Sequence, residues 1–150
     1  MAAVAFKKLI QVNKGTAAAS GGTFTADFAI PTDRIARVEV RAFLCAQTGG
    51  AGHIVSASMY CEGVYENQNG TLAAVTTFPG GSNPYAAANL VGSRAQASDA
   101  AFTSSGGTVP PALALSISST NVRATLTNNS DSSQAGDATI YFEVFLSGAA

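Results

Sequence analysis

Short segments that alternate apolar and polar residues recur along this chain, and turn residues separate most of them. In segment 23–30, Phe24 and Phe28 would share one face, and in segment 139–146 every second residue is apolar, with Phe142 at the centre. A period of two is the pattern of a β-strand with one buried face. The chain is therefore predicted to be all-β.

The same pattern predicts eight or nine strands, which suits a single antiparallel β-sandwich with a jelly-roll-like form. The clear strands are expected at 6–13, 23–30, 34–44, 53–66, 71–78, 112–118, 122–128 and 139–147. Residues 83–97 have two interpretations: a short helix that Asn83 would cap, or a strand over 90–97. We expect an N-terminal strand or arm with a small-residue connection at 1–22 and the sandwich at 23–150.

Charged residues make up only 11% of the chain, and hydrophobic residues make up 47%. The surface must therefore be rich in small uncharged residues, which is typical of proteins that pack against copies of themselves or a larger partner. The net charge is −1, so the overall field does not attract phosphate backbones. We expect a homo-oligomer and no nucleic-acid partner.

The few charges are unevenly placed along the chain. Residues 1–41 hold six basic and three acidic residues, whereas the remainder holds two basic and six acidic ones. All three lysines, Lys7, Lys8 and Lys14, lie near the start. They would either meet an acidic partner surface or form a solvated basic edge that discourages strand-to-strand aggregation.

Some predicted strands carry apolar residues on both faces. In the last strand, Tyr141 and Phe145 flank Glu143 on the side expected to face solvent. In the predicted strand 34–44, Phe43 lies on the opposite face of the strand from Leu44. Such a second face is either covered by a neighbouring subunit or is an ordinary sheet surface with half-exposed aromatic rings.

Residues for chemistry are scarce. The chain has one histidine, His53, and two cysteines, Cys45 and Cys61, without metal-ligand spacing. The nine carboxylates are scattered, and no glycine-rich run is followed by the Lys-Ser/Thr of a phosphate loop. We expect no enzymatic activity, no metal and no cofactor.

The two cysteines are expected to be free thiols that act as small apolar residues. If the hairpin between them turns near Gly49 and Gly50, Cys45 would face Ile54 and Cys61 would face Val38, out of bridging range. No apolar stretch is long enough to span a membrane, and no secretory signal is visible at the start. We therefore expect synthesis in a cytoplasm and no membrane partner.

A succession of features from about residue 55 to residue 147 resembles a known group of proteins. The features are an aromatic strand at 58–65, a turn at 69–71, the segments 90–93, 102–106, 113–117 and 122–127, and an aromatic closing strand at 141–145. Together they resemble the small β-sandwich domains of virion proteins of tailed bacteriophages. These include capsid decoration (cement) proteins and tail-fibre tips.

The resemblance implies a structural protein of the virion that bridges and stabilises major capsid subunits. It implies a trimer on the capsid exterior, made in the host cytoplasm and acting without a cofactor. Candidates for partner contact are Lys7, Lys8, Lys14, Tyr141 and Phe145.

Two alternatives remain open. In the first, the chain is a tail or head-fibre tip that binds host saccharide through Tyr65, Asn83 and Tyr85. In the second, it is a small β-sandwich enzyme, which would need a cleft with strongly perturbed carboxylates.

Overall fold

The computed structural model describes residues 4–18, 21–47, 54–75, 92–96, 111–129 and 135–149. Nine strands form within these ranges, and they contain no helix. The strands are β1 Val4–Ala17, β2 Gly22–Ala29, β3 Arg34–Gln47, β4 Ile54–Gln68, β5 Thr71–Ala74, β6 Gly92–Gln96, β7 Ala112–Ser118, β8 Asn121–Asn128 and β9 Gly136–Ala149. These described ranges accordingly hold no helix that is long and apolar enough to cross a membrane.

The strands form two antiparallel sheets. The larger has six strands in the order β1-β9-β3-β4-β5, with β6 also paired to β4, and the smaller has the order β2-β8-β7. The predicted all-β sandwich is thus confirmed. The β2–β8 pair is nested in sequence inside the β1–β9 pair, as in jelly rolls, whereas β3–β4 and β7–β8 are local hairpins.

The core lies between the inner faces of the two sheets, and period-two alternation places its residues there. On β9 the buried residues are Ala138, Ile140, Phe142, Val144 and Leu146. The sheets meet where Phe142 packs on Phe28 of β2, with ring centroids 5.8 Å apart. Leu113, Val122, Ala124 and Leu126 complete the small sheet's side of the core. Burial of these side chains is the main stabilising term in such a sandwich.

The first strand belongs to the larger sheet and does not extend from it as an arm. β1 pairs with β9 without interruption from Val4 opposite Ala149 to Ala17 opposite Gly136, so it is an edge strand. It also packs closely on β2, because a Cβ at Gly15 would collide with the Phe24 ring. Residues 4–17 are therefore a strand of the larger sheet, held by the ladder to β9.

A buried asparagine connects the two sheets at one corner. The Asn67 Nδ2 donates to the Ile30 carbonyl oxygen at 2.7 Å, and the Asn67 carbonyl oxygen accepts from the Asp33 N–H at 2.6 Å. Asp33 adopts a φ of 60°, and its Oδ1 accepts from the Asn69 N–H at 3.1 Å. These bonds fix the path of the chain from β2 into β3 and thus the way in which the two sheets face each other.

The β3–β4 register differs from the predicted one. Cys45 lies opposite Ser56 and Cys61 opposite Val40, not opposite Ile54 and Val38. The two thiols are nevertheless on opposite faces of the sheet, with Cys45 exposed and Cys61 buried. Cys61 therefore acts as a small apolar core residue, whereas Cys45 does not.

The ambiguous segment 83–97 is resolved in part. Gly92–Gln96 is strand β6, which pairs with β4 from Glu62 to Ser58. The expected strand is confirmed there, while the helix that Asn83 would cap lies outside the described residues. His53 and Tyr85 lie outside them as well.

Candidate contact surface

The larger sheet has a broad surface that faces away from the core, which we call the outer face. Its four long strands, β1, β9, β3 and β4, align residues of this face in rows perpendicular to the strands. Three neighbouring rows carry most of the charged side chains of this face. The basic row is Lys8, Phe145, Arg37 and Val64; the acid row is Ile10, Glu143, Glu39 and Glu62; the tyrosine row is Val12, Tyr141, Arg41 and Tyr60.

Exposed apolar side chains concentrate on the outer face. Among the described side chains, six large hydrophobic ones are exposed, and five of them lie here. The five are Ile10 at 55%, Val12 at 51%, Phe43 at 50%, Ile35 at 44% and Phe145 at 37%. Isolated exposed apolar residues are ordinary, whereas a concentration of them on one surface is a common feature of interaction sites.

Strand β1 has apolar residues on both sides: Leu9 and Ala17 pack into the core, and others face this surface. Ile10 and Val12 point outward, whereas Gln11 and Asn13 lie on the inward side. The Gln11 Nε2 donates to the Asp27 carbonyl oxygen of β2 at 2.9 Å and to Asn13 Oδ1 at 3.2 Å. The inward side of β1 thus meets the polar backbone edge of β2. This arrangement leaves the more apolar side of β1 uncovered.

The acid row places like charges directly opposite one another. Glu39 of β3 lies opposite Glu143 of β9 on one side and opposite Glu62 of β4 on the other. Carboxylates at directly opposed positions repel each other and destabilise a sheet. Such a row requires cations close by.

Cations from both flanking rows neutralise Glu143. The Lys8 Nζ lies 2.5 Å from one carboxylate oxygen and the Arg41 Nη1 lies 3.5 Å from the other. The hydrogen bond from Lys8 lowers the pKa of Glu143 and in turn raises the pKa of Lys8. The Lys8 Nζ also lies 5.7 Å from the centroid of the Phe145 ring, within cation–π range.

Arg37 neutralises the other two carboxylates of the row. Its Nη2 lies 2.8 Å from a Glu39 oxygen and 3.3 Å from a Glu62 oxygen. The Tyr60 hydroxyl donates to the same Glu62 oxygen at 2.7 Å, and burial together with this bond raises the pKa of Tyr60 to about 12. The three central rows of the outer face therefore carry apolar groups and charges that are paired with one another, and Lys14 and Glu66 lie on the same face outside these rows.

The structure brings four of the five predicted contact residues together. Lys8, Lys14, Tyr141 and Phe145 all lie on the outer face, within two adjacent strands. Lys7 is exposed but has the opposite phase on β1, so it points to the other side of the sheet. Sequence alone could not group them, because their grouping depends on the β1–β9 register.

The structure describes only one of the three residues predicted to bind saccharide. Tyr65 is only 2% exposed, and burial raises its pKa to about 12. Its ring covers Gly63, where an added Cβ would lie 2.9 Å from it. The role predicted for Tyr65 in sugar stacking is therefore wrong, because β4 turns this ring into the core. Asn83 and Tyr85 lie outside the described residues.

Other side chains that could bind a metal or take part in catalysis are dispersed over the described ranges. No three His, Cys, Asp or Glu side chains among them are placed to hold a metal ion. Burial raises the pKa of the Cys61 thiol to about 11, so this sulfur stays protonated. A cavity of about 270 Å³ at one end of the sheet includes Asp33 and Glu66, whose carboxylates accept from Asn69 N–H and Gln68 Nε2.

Comparisons with known proteins give little beyond this geometry. No family model and no curated protein matches the chain. Among solved structures, the chain is similar to the tailspike protein of Acinetobacter baumannii phage AM24, with 12% identity and a TM-score of 0.38. The match covers 96% of this chain but only 26% of the tailspike. A similarity this low carries no functional argument, so the function is argued from the outer face.

Proposed function

We propose that this chain is a structural protein of a tailed-bacteriophage virion, and specifically a capsid decoration protein. It assembles as a homo-oligomer, attaches to major capsid subunits on the capsid exterior, and works without a catalytic step or cofactor. The observation that carries the proposal is the outer face, with its five exposed apolar side chains and its paired charges. Such a face supports a protein whose work is to make contacts.

The proposed mechanism is mass action. A protein that binds only the assembled lattice lowers the free energy of that lattice by its own binding free energy. Repeated copies attached through more than one contact add avidity without any new chemistry. The expected consequence is a capsid that resists heat better when the protein is bound.

The test begins with virions of the phage that carries this coding sequence. Mass spectrometry should detect the chain in purified particles, and antibody labelling should decorate the heads. Labelling at the tail tip would instead support the saccharide-binding alternative, and absence from the particles would overturn a virion role of either kind.

A second step tests the stabilising function itself. Capsids from a phage that lacks the gene should release their DNA at a lower temperature, and added protein should restore the wild-type temperature at saturating occupancy. A variant with Val12→Asp and Phe43→Asp changes the outer face and should bind less. The matched control Thr25→Asp changes an exposed residue of β2 on the other sheet and should bind normally.

A further inference from the structure

We propose that the outer face packs against the outer face of a second copy of this chain, through a twofold axis between the acid row and the tyrosine row. The inference deepens the proposed function, on which its setting in a virion rests, by naming one partner of the contact surface. Its physical basis is the size of the face, its charge balance and the order of its rows.

The outer face is large enough for a stable dimer. Its four long strands have 14 or 15 residues each. At the usual rise per residue and strand spacing, four such strands cover roughly 900 Å². A partner in a standard specific interface contributes about 800 Å². One sheet face laid on another therefore suffices, without a contribution from loops.

The charges of the face allow two copies to approach. Lys8, Arg37 and Arg41 balance the three glutamates of the acid row, so this central patch is neutral near pH 7. A neutral patch of paired charges generates little long-range repulsion between copies. The apolar side chains between the charges supply the surface that association removes from water.

The order of the rows selects the position of the axis. An axis along the acid row would place glutamates of one copy on glutamates of the other, which is unfavourable. An axis between the acid and tyrosine rows exchanges the two rows. Glu39 then lies against Arg41 of the partner subunit, and Ile10 lies against Val12 of the partner subunit. Because a twofold contact is reciprocal, each of these pairs occurs twice.

Sheet packing permits this arrangement near the axis. Two sheets that pack face to face keep their strands within about 30° of each other and lie about 10 Å apart. The correspondence between rows therefore holds best at the centre, where β9 and β3 carry the glutamates and Arg41. Towards the ends of the strands, the rows of the two copies need not lie directly opposite each other.

The first experiment measures the mass of the full chain by sedimentation velocity over a concentration series. The expected species has twice the 15.1 kDa mass of the chain. A protein that stays monomeric at every concentration up to high micromolar overturns the proposal. So does a trimer, the oligomer that the resemblance to decoration proteins favours.

Charge-reversal variants test the axis itself. Arg41→Glu would place a second carboxylate against Glu39 of the partner subunit, and Glu39→Arg would place two guanidinium groups in contact. Each variant alone should weaken the dimer roughly tenfold or more. An equimolar mixture should recover a dimer, because the heterodimer places both negative residues of one copy against both positive residues of the other. Thr25→Glu and Thr25→Arg, on the small sheet, are matched controls and should dimerise normally.

The outcomes test the location of the interface and the position of the axis separately. Single variants that remain dimeric would show that the copies meet elsewhere, and a mixture that does not recover would show that the axis is misplaced. A thermal unfolding curve for each variant separates loss of contact from loss of fold. A chain that dimerises as expected but is missing from virions would refute the proposed function and leave this inference intact.

Discussion

The two surfaces that face away from the core differ in kind, although the same alternation builds both. On the small sheet, β2, β8 and β7 expose mainly short uncharged side chains: Thr23, Thr25, Ala29, Ala112, Ala114, Ser116, Asn121, Thr125 and Thr127. A single ion pair, Asp27 with Arg123, interrupts this surface. The outer face of the larger sheet instead carries aromatic, aliphatic and charged groups. This difference in composition is the reason for proposing the outer face, and not the small sheet, as the contact surface.

The largest expected effect contrasts two phenylalanines on neighbouring strands. Phe142 is fully buried and Phe43 is half exposed. Phe142→Ala should lower the free energy of unfolding by about 3–5 kcal/mol, because it removes core contacts and leaves a cavity. Phe43→Ala should change it by no more than about 0.5 kcal/mol.

Urea unfolding of dilute protein, where any dimer has dissociated, measures both values. Equal losses for the two variants would show that Phe43 belongs to the fold of one chain. That result would remove the main reason to treat the outer face as a contact surface.

A smaller effect is expected from the cation that serves two carboxylates. Arg37→Ala leaves Glu39 and Glu62 directly opposed without their shared partner. Because Arg37 is more than half exposed, solvent screening limits the decrease in the free energy of unfolding to about 1 kcal/mol. Adding Glu39→Gln to Arg37→Ala should recover part of it, since the repulsion is then removed.

The dependence on salt distinguishes this effect from a packing effect. Chemical unfolding in urea at low and high NaCl should give a smaller loss at high salt, because exposed charges are screened. A loss that is independent of salt and not recovered by Glu39→Gln would mean that the stem of Arg37 matters and its charge does not.

The fold was more predictable from the sequence than the site was. Alternation is local, so strands such as β2 and β9 could be predicted with the residues that share their buried face. The candidate contact surface depends on registers between distant segments, above all β1 with β9. The acid row exists only because Glu39, Glu62 and Glu143 align across three strands, and no spacing in the sequence signals that alignment.

The phase of a strand was the other source of error. β4 has apolar residues in both phases, so the sequence did not indicate whether Tyr65 or Tyr60 faces the core. In β1 the more apolar phase, with Ile10 and Val12, turns away from the core. The rule that apolar residues face inward therefore holds in β1 for Leu9 and Ala17 but not for Ile10 and Val12, and the inward-facing Gln11 instead donates to the backbone of β2.

The smallest expected effect tests the ion pair of the small sheet. Arg123 donates to both oxygens of Asp27, at 2.7 and 2.8 Å, and these bonds lower the pKa of Asp27 below its ordinary value of 3.8. A carboxyl with a lowered pKa stabilises the fold where it is ionised. Asp27→Asn should therefore cost about 0.5 kcal/mol at pH 7, a value limited by the exposure of the pair. The cost should shrink as the pH falls from 3.8 through the lowered pKa of the folded state, because the carboxyl is then protonated first in the unfolded chain and finally in the folded protein as well.

Unfolding free energies of the two proteins at about pH 7 and about pH 3 give the comparison, with Thr25→Ala as a control for a substitution on the same face without a titrating group. Asp27 and Arg123 satisfy each other within one chain, so Asp27→Asn should leave the oligomeric mass unchanged. A change in mass would assign the small sheet a contact of its own and would remove the asymmetry between the two surfaces.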